Sequence, residues 1–374
     1  MNRKILLSSF TLLVLFAVLS GCASTNSVSK KPKEIIPFTG TDYTELPKGT
    51  DGTAGKGAAY VLFGDWPQTI KADDVTVDES KGAVVGAFIY YVGSDGAWYA
   101  KCRENAVTNQ LDETYYSTGS KVAFAKANSF KYFKVEPIKW RVLTNDYNGK
   151  KLLFAENVLM PCAYYDGKMR WFEDGTEITS NNYKESRARA FLNGLSYETQ
   201  NGKLPVKTEN EFFDKGFLQT AFTLPLQEKI AFTVVDNSEE STIPNQLAAG
   251  DNWGNDSSKC ISENTIDKIF LLSENEMTEK SFGFGGACGE FEDSGTKSRI
   301  RIPTDFAKAN GASQGKAWLN GICYKGGTWW LRSPANYELK DLLVFECAPY
   351  GWVNCGYSCY VNHCGIVPAL CLEN

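Results

Sequence analysis

One stretch of this chain is apolar and long enough to engage a translocation channel: the run Ile5–Leu19, preceded by Arg3 and Lys4 and followed by Ser20, Gly21 and Cys22. It falls short of the roughly 20 residues a helix needs to span the hydrocarbon core. A basic start, an apolar centre and small residues before a cysteine instead make a secretory signal ending in a lipobox. The pattern predicts that residues 1–21 are removed and that Cys22 becomes the acylated first residue. Acyl chains of the palmitate type would then be its anchor in the membrane. Nothing beyond Cys22 repeats such a run, so the rest of the chain must bury its apolar side chains against one another in water.

Residues 22–57 are rich in Ser, Thr, Lys, Pro and Gly and read as a flexible tether. From residue 58 to 374 the chain carries enough apolar and aromatic side chains for one large domain. The formal charge is -5, and the basic residues outside the signal gather only at Lys30, Lys31 and Lys33. That balance excludes nucleic acid as the natural ligand.

Strand signals dominate the first part of the domain. Tyr60–Gly64 reads as a strand leading into a turn at DWPQT, and Gly82–Lys101 as a hairpin across Gly93, Ser94, Asp95 and Gly96. Val135–Leu143 and Lys151–Ala155 are again strand-like, separated by Asn145, Asp146, Asn148 and Gly149. Helical spacing is seen over Tyr183–Leu192, with Gly194 just past its end, and over Gln219–Ala231, where Pro225 should begin the helix. Ile266–Leu272 is a short β run that ends in Ser273-Glu-Asn-Glu276, a capping box. The fold class these elements predict is α+β, with many short strands and a few short helices.

Eleven cysteines would suggest a disulfide framework in an exported chain. Their scatter through positions 102, 162, 260, 288 and 323 instead reads as small buried hydrophobes. The tail is different. Residues 347–364, CAPYGWVNCGYSCYVNHC, hold no Asp, Glu, Lys or Arg, and their Asn, Gly, Tyr, Cys and Ser do not make an apolar core. Such a composition suits a binding face, with rigid Tyr and Trp for contact area and small polar side chains for adaptable hydrogen bonds.

The lipobox, the blocks FGDWPQ, EPIKWRVL, RAFLNG, DKIFLLS and RIPTDFAK, the WWLRSP block and the closing GIVPAL together resemble the treponeme variable protein family. The resemblance runs from about Tyr60 to the end. It implies a C-type-lectin-like fold, related in shape to formylglycine-generating enzymes. It also implies a displayed tract, about residues 335–364, that is diversified by a diversity-generating retroelement. In such systems template adenines are copied erratically, so Asn codons become codons for Tyr, Ser, Cys, His, Asp, Gly and others but never Trp. On this reading the variable, ligand-binding positions are Asn336, Tyr337, Asp341, Tyr350, Asn354, Cys355, Tyr357, Ser358, Cys359, Tyr360, Asn362, His363 and Cys364. Trp352, which the codon rule cannot produce, is scaffold, as are Trp329, Trp330 and Arg332. The implied location is the cell surface, lipid-anchored in the outer membrane. The implied partner is a protein or glycan on another cell or host surface.

Other chemistry fits these residues less well. Cys355, Cys359, His363 and Cys364 are zinc-ligand types, but their spacing lacks the CxxC knuckle, and neighbours on an extended segment face opposite ways. We therefore expect no metal and no cofactor. A single histidine, with no nucleophile elbow, makes acyl-transfer catalysis unsupported, and the chain is not read as an enzyme. The alternative by resemblance is an oxidase of the formylglycine-generating type, with Cys355 and Cys359 or Cys364 imitating its cysteine pair, although that family's GFR block is here GIV. A structural envelope lipoprotein is the third reading. Calcium-dependent sugar binding would need an EPN or QPD pair, whereas Glu136 and Pro137 are followed by Ile138. The run Gly283–Gly289 lacks the Lys-Ser or Lys-Thr of a phosphate loop. Adjacent tryptophans on a strand predict one ring in the core and the other toward the binding surface, with Arg332 reaching a buried carboxylate.

The lipobox generates the first prediction. A Cys22→Ser chain moves from the membrane fraction to the soluble fraction on detergent phase separation; retention at the wild-type level would refute acylation at this residue.

Overall fold

Two tight turns set the geometry of the largest sheet. Asn148 and Gly149 both adopt left-handed backbone angles, φ 54° and 80°, which two-residue hairpins with the native strand twist require. They join the strand Phe130–Tyr147 to Lys150–Ala155. At the second turn, Asp95 accepts from Ala97 N–H at 3.1 Å and Gly96 sits at φ 76°, joining Phe88–Gly93 to Trp98–Arg103. The computed structural model describes residues 31–53, 57–104, 114–122, 130–165, 170–171, 175, 177–199, 207–242, 262–284, 297–319, 322–335 and 343–373. The signal segment and Cys22 lie outside them.

The eighteen-residue strand Phe130–Tyr147 is the axis of a ten-stranded sheet. Its first residues pair with Trp98–Arg103, its middle with Tyr60–Ile70 and its last residues with Lys150–Ala155. Outward on one side follow Phe88–Gly93, Val77–Val85 and the two-residue strand Glu34–Ile35. On the other side follow Ala369–Glu373 and Ile269–Phe270. A five-stranded sheet is built from Met160–Pro161, Gly365–Ile366, Trp329–Ala335, Leu343–Cys347 and Val353–Ser358, in that order.

Strands hold 44% and helices 13% of the structure, so the protein is sheet-rich, which corrects the expected α+β, C-type-lectin-like class. The physical reason lies in the helix ends. Tyr183–Leu192 has helical spacing, but Ser186 caps Arg189 N–H and Gly194 takes a left-handed C-cap, leaving only Arg187–Asn193 helical. Gln219–Ala231 is divided where Phe222 turns extended, giving Phe217–Ala221 and a second helix, Leu224–Lys229, with Pro225 in its first turn. The capping box at Ser273 and Glu276 forms as read and opens the helix Glu274–Met277. Among the described residues no helix is long and apolar enough to cross a membrane.

Two further readings change. The expected turn at DWPQT is strand: Tyr60–Ile70 continues through Pro67, helped by register shifts on both sides and by Gly64 at φ 69°. The tether, too, is bound well before residue 57. Lys33 N–H donates to Ser80 O, Ile36 N–H to Gly82 O, and Thr44–Glu45 pairs with Tyr60–Ile70.

Trp66 is the hub of the main core, at 1% exposure. Its ring meets Phe88, Phe191, Phe217 and Phe306, and its indole N–H donates to Leu159 O at 3.0 Å. The two sheets are locked together by Arg332, on the strand Trp329–Ala335 and fully buried. Its guanidinium holds Glu276 with both terminal nitrogens and donates to Leu271 O, Asp236 O and Ser241 Oγ. Glu276 also accepts from the Tyr147 hydroxyl and from Ser273 N–H. Burial alone would raise its pKa, but Arg332 and these donors hold it below the ordinary 4.5.

The cysteines divide. Cys162 is disulfide-bonded, against the expectation that it is a simple buried hydrophobe. Cys102, Cys347, Cys364 and Cys371 are buried free thiols, and Cys323 is a half-buried one. Burial pushes the Cys102 and Cys347 thiols up to about 12 and Cys371 to about 11.

These arrangements give two predictions. Glu276→Ala strands a buried guanidinium and costs about 3–5 kcal/mol in chemical denaturation. Because the folded carboxyl titrates below its unfolded value, its contribution is complete above pH 4.5 and fades as pH falls through the lower folded value. Glu276→Gln should flatten that part of the acid-stability curve, and an unchanged curve would refute the assignment. For the thiols, iodoacetamide with peptide mapping at pH 8 should label Cys323 in the native protein but Cys102, Cys347, Cys364 and Cys371 only after unfolding. Native-state labelling of Cys347 would contradict its placement.

Candidate binding surface

Paired strands make the tail rigid where it is deepest. Trp329 pairs with Cys347 on one side and Gly365 on the other, placing the WWLRSP strand inside the five-stranded sheet. Both Trp329 and Trp330 are fully buried, which corrects the expectation that one ring faces the binding surface. The reason is that both faces of this strand are covered. Trp329 packs on Phe154 at 5.5 Å, while Trp330 packs on Tyr164 at 5.7 Å and donates its indole N–H to Cys162 O at 2.7 Å. The carboxylate expected for Arg332 is Glu276.

Beyond this strand the chain makes a hairpin, Leu343–Cys347 to Val353–Ser358, whose second strand is the sheet's outer edge among the described residues. The connecting loop is fixed by its own backbone. Ala348 N–H donates to Trp352 O, Gly351 N–H to Ala348 O, and Gly351 stands at φ 87°. Pro349 of this loop lies over Gly315 and Gly326, a cross-strand pair; a Cβ on Gly326 would fall 2.1 Å from Pro349 O. Tyr350 and Trp352 are half-buried with ring centroids 6.0 Å apart. Trp352, expected as scaffold, is thus partly exposed.

At the other end of the edge strand the chain turns through Ser358 and Val361. Ser358, Tyr360 and His363 are half-buried and Asn362 is exposed. Tyr360 packs on Tyr165 at 5.9 Å and shares a hydrogen bond with Ser180 at 3.1 Å. His363 O accepts from Ser313 N–H, and burial lowers the imidazole pKa, leaving the ring neutral at pH 7. Among the described side chains, the reachable groups stand at the two ends of the strand Val353–Ser358, about 20 Å apart at the usual strand rise.

Not every expected position is reachable. Cys359 and Cys364 are fully buried, their carbonyls accepting from Tyr165 and Cys162 N–H. A ligand resting on the tract does not meet either thiol, and burial pushes Cys364 well above the ordinary cysteine value. Asn336, Tyr337 and Asp341 lie outside the described residues, as do the side chains of Asn354, Cys355 and Tyr357. Among the described residues no three His, Cys, Asp or Glu side chains converge as for a metal ion.

Sequence reasoning missed the residues that support the tract from below: Tyr165, Ser180 and Asn181, the last donating to Leu343 O at 3.1 Å. They come from a loop-rich stretch some 180 residues upstream, and no local signal in it points to the tail.

No curated protein and no solved structure matches the chain. Residues 148–374 match a family model described as "Domain of unknown function (DUF6273)". The matched region takes in the five-stranded sheet, the buried Trp329–Arg332 strand and the tail, and with more than half of its length inside the match, the chain belongs to the DUF6273 family.

Proposed function

We propose that this chain is a lipid-anchored protein of the outer membrane surface that binds a protein or glycan on another cell or host through its C-terminal tract. We further propose that the tract is diversified by a retroelement of the kind its sequence resembles. The observation that carries the reading is the contrast within one sheet. Trp329, Trp330 and Arg332 are fully buried, Trp330 and Arg332 with their side chains hydrogen-bonded, while the charge-free segment beside them leaves Tyr350, Ser358, Tyr360, Asn362 and His363 within reach of solvent. A rigid base of this kind lowers the ordering entropy a binding face must overcome. The disulfide at Cys162 supports export, because such bonds persist in oxidising compartments. The burial of Cys359 and Cys364 weighs against an oxidase built on tail thiols, which would need two accessible sulfurs.

Exposed substitutions usually change stability by no more than about 0.5 kcal/mol, whereas truncating a buried Trp costs about 3–5 kcal/mol. Accordingly Asn362→Ala should melt near the wild type, the half-buried Tyr350→Ala and His363→Ala somewhat lower, and Trp330→Ala far below all three. Tyr360→Ala should fall between, since that ring packs on Tyr165. The same variants should alter binding on a glycan array or an extracellular-protein panel. If Asn362→Ala and His363→Ala lower Tm as much as Trp330→Ala, the tract is packing material and the proposal fails.

A further inference from the structure

A two-stranded ribbon on the flank of the molecule is folded with its polar residues inward. In Thr233–Val235, paired with Thr265–Asp267, the buried residues are Thr233, Val235, Thr265 and Asp267. Facing water are Val234 and Ile266, 55% and 65% exposed and directly opposite one another. Two residues before Val234, Phe232 is 66% exposed, with the Lys268 ammonium 4.9 Å from its ring centroid. A ribbon lying on a core ordinarily alternates the other way. Its register is held from beneath: the Asp267 carboxylate takes Arg189 Nε at 2.9 and 3.0 Å and the Thr265 hydroxyl at 2.7 Å. A slip of one residue would expose that ion pair, so the apolar face is locked outward.

Hydrogen bonds connect the ribbon to further exposed apolar side chains toward the N-terminal edge. Lys268 Nζ donates to Gln227 O on the helix Leu224–Lys229, whose first residue, Leu224, is 74% exposed. Thr223 in turn donates to Thr39 O, in the segment that leads back to the edge strand Glu34–Ile35. There Ile35 pairs with Gly82, and Val84, two residues further on, shares its face; the two are 65% and 59% exposed.

We propose that this face, from Ile35 and Val84 across Leu224 to Phe232 and Ile266, rests on the lipid bilayer that anchors the chain. The inference depends on the acylation of Cys22 proposed above. Its occupant follows from the length and exit point of the strap. Cys22 and Lys33 are eleven residues apart, at most about 40 Å of extended chain, and Lys33 is bonded to Ser80 at the same sheet edge that carries Ile35. An anchor so placed keeps this face at high local concentration beside the bilayer, where an apolar patch too weak to bind alone can seat. Phe, Leu, Ile and Val, with Lys30, Lys31 and Lys33 in the strap and Lys268 beside Phe232, is the composition of an interfacial surface on anionic lipid.

The test is hydrogen exchange on the full-length lipidated protein in vesicles of phosphatidylcholine with or without phosphatidylglycerol, against the full-length Cys22→Ser chain in buffer. Amides of residues 34–35, 82–85, 224–229, 232–235 and 265–268 should slow several-fold on vesicles while those of 358–363 do not. The triple variant Leu224→Glu, Phe232→Glu, Ile266→Glu should still float with the vesicles but lose that protection. Wild-type protein that floats yet exchanges in these segments as it does in buffer overturns the proposal and leaves acylation standing. Wild-type protein that does not float removes the acylation reading, and this proposal with it, because nothing else brings the face to a bilayer.

Discussion

The buried pair of Arg332 and Glu276 is the contact on which the arrangement of the two sheets depends. Arg332 belongs to the strand beside the charge-free tract, and its backbone N–H and its guanidinium reach Leu272 O and Leu271 O of the segment that follows the main sheet's last edge strand. Glu276 answers from a helix whose capping box fixes its position, and Tyr147 adds a donor from the end of the long central strand. One ion pair thus ties together a helix start, both sheets and the base of the tail. Buried charges cost heavily when unpaired, so this site admits few alternatives in either partner.

Among the described side chains of the tract, the reachable groups stand at the two ends of an edge strand, Tyr350 and Trp352 at the loop and Ser358 to His363 at the far turn. The hairpin loop also rests on the side-chain-free pair Gly315 and Gly326, so its closeness to the body depends on residues outside the tract.

What was legible in the sequence was local. The cap at Ser273, the stop at Gly194, the Asn-Gly turn and the Gly93–Gly96 turn each act over a few residues, and each appears where composition placed it. Sheet order was not legible, because it pairs Glu34 with Lys81 and Ala369 with Phe154, and no periodicity encodes such partners. Alternation misled where both faces of a strand are covered, as at Trp329 and Trp330. The ribbon runs against alternation, because Asp267 is drawn inward by Arg189 and apolar neighbours are turned out. At the candidate site, the absence of charge singled out residues 347–364, but it did not separate Asn362 from Cys359, since exposure there is decided by a turn against Tyr165.

The strand Ala369–Glu373 lies between Lys150–Ala155 and Ile269–Phe270, filling an interior place in the main sheet with residues translated after the tract. Until it arrives, the strand Lys150–Ala155 has an open edge and Ile269–Phe270 has no partner in the sheet. A chain that stops or shifts frame anywhere within residues 347–364 never closes the fold, and such products are left to proteolysis. Closure of the main sheet therefore waits on the last residues of the chain that the structure describes, and the tract is held between two strands already bound into the fold.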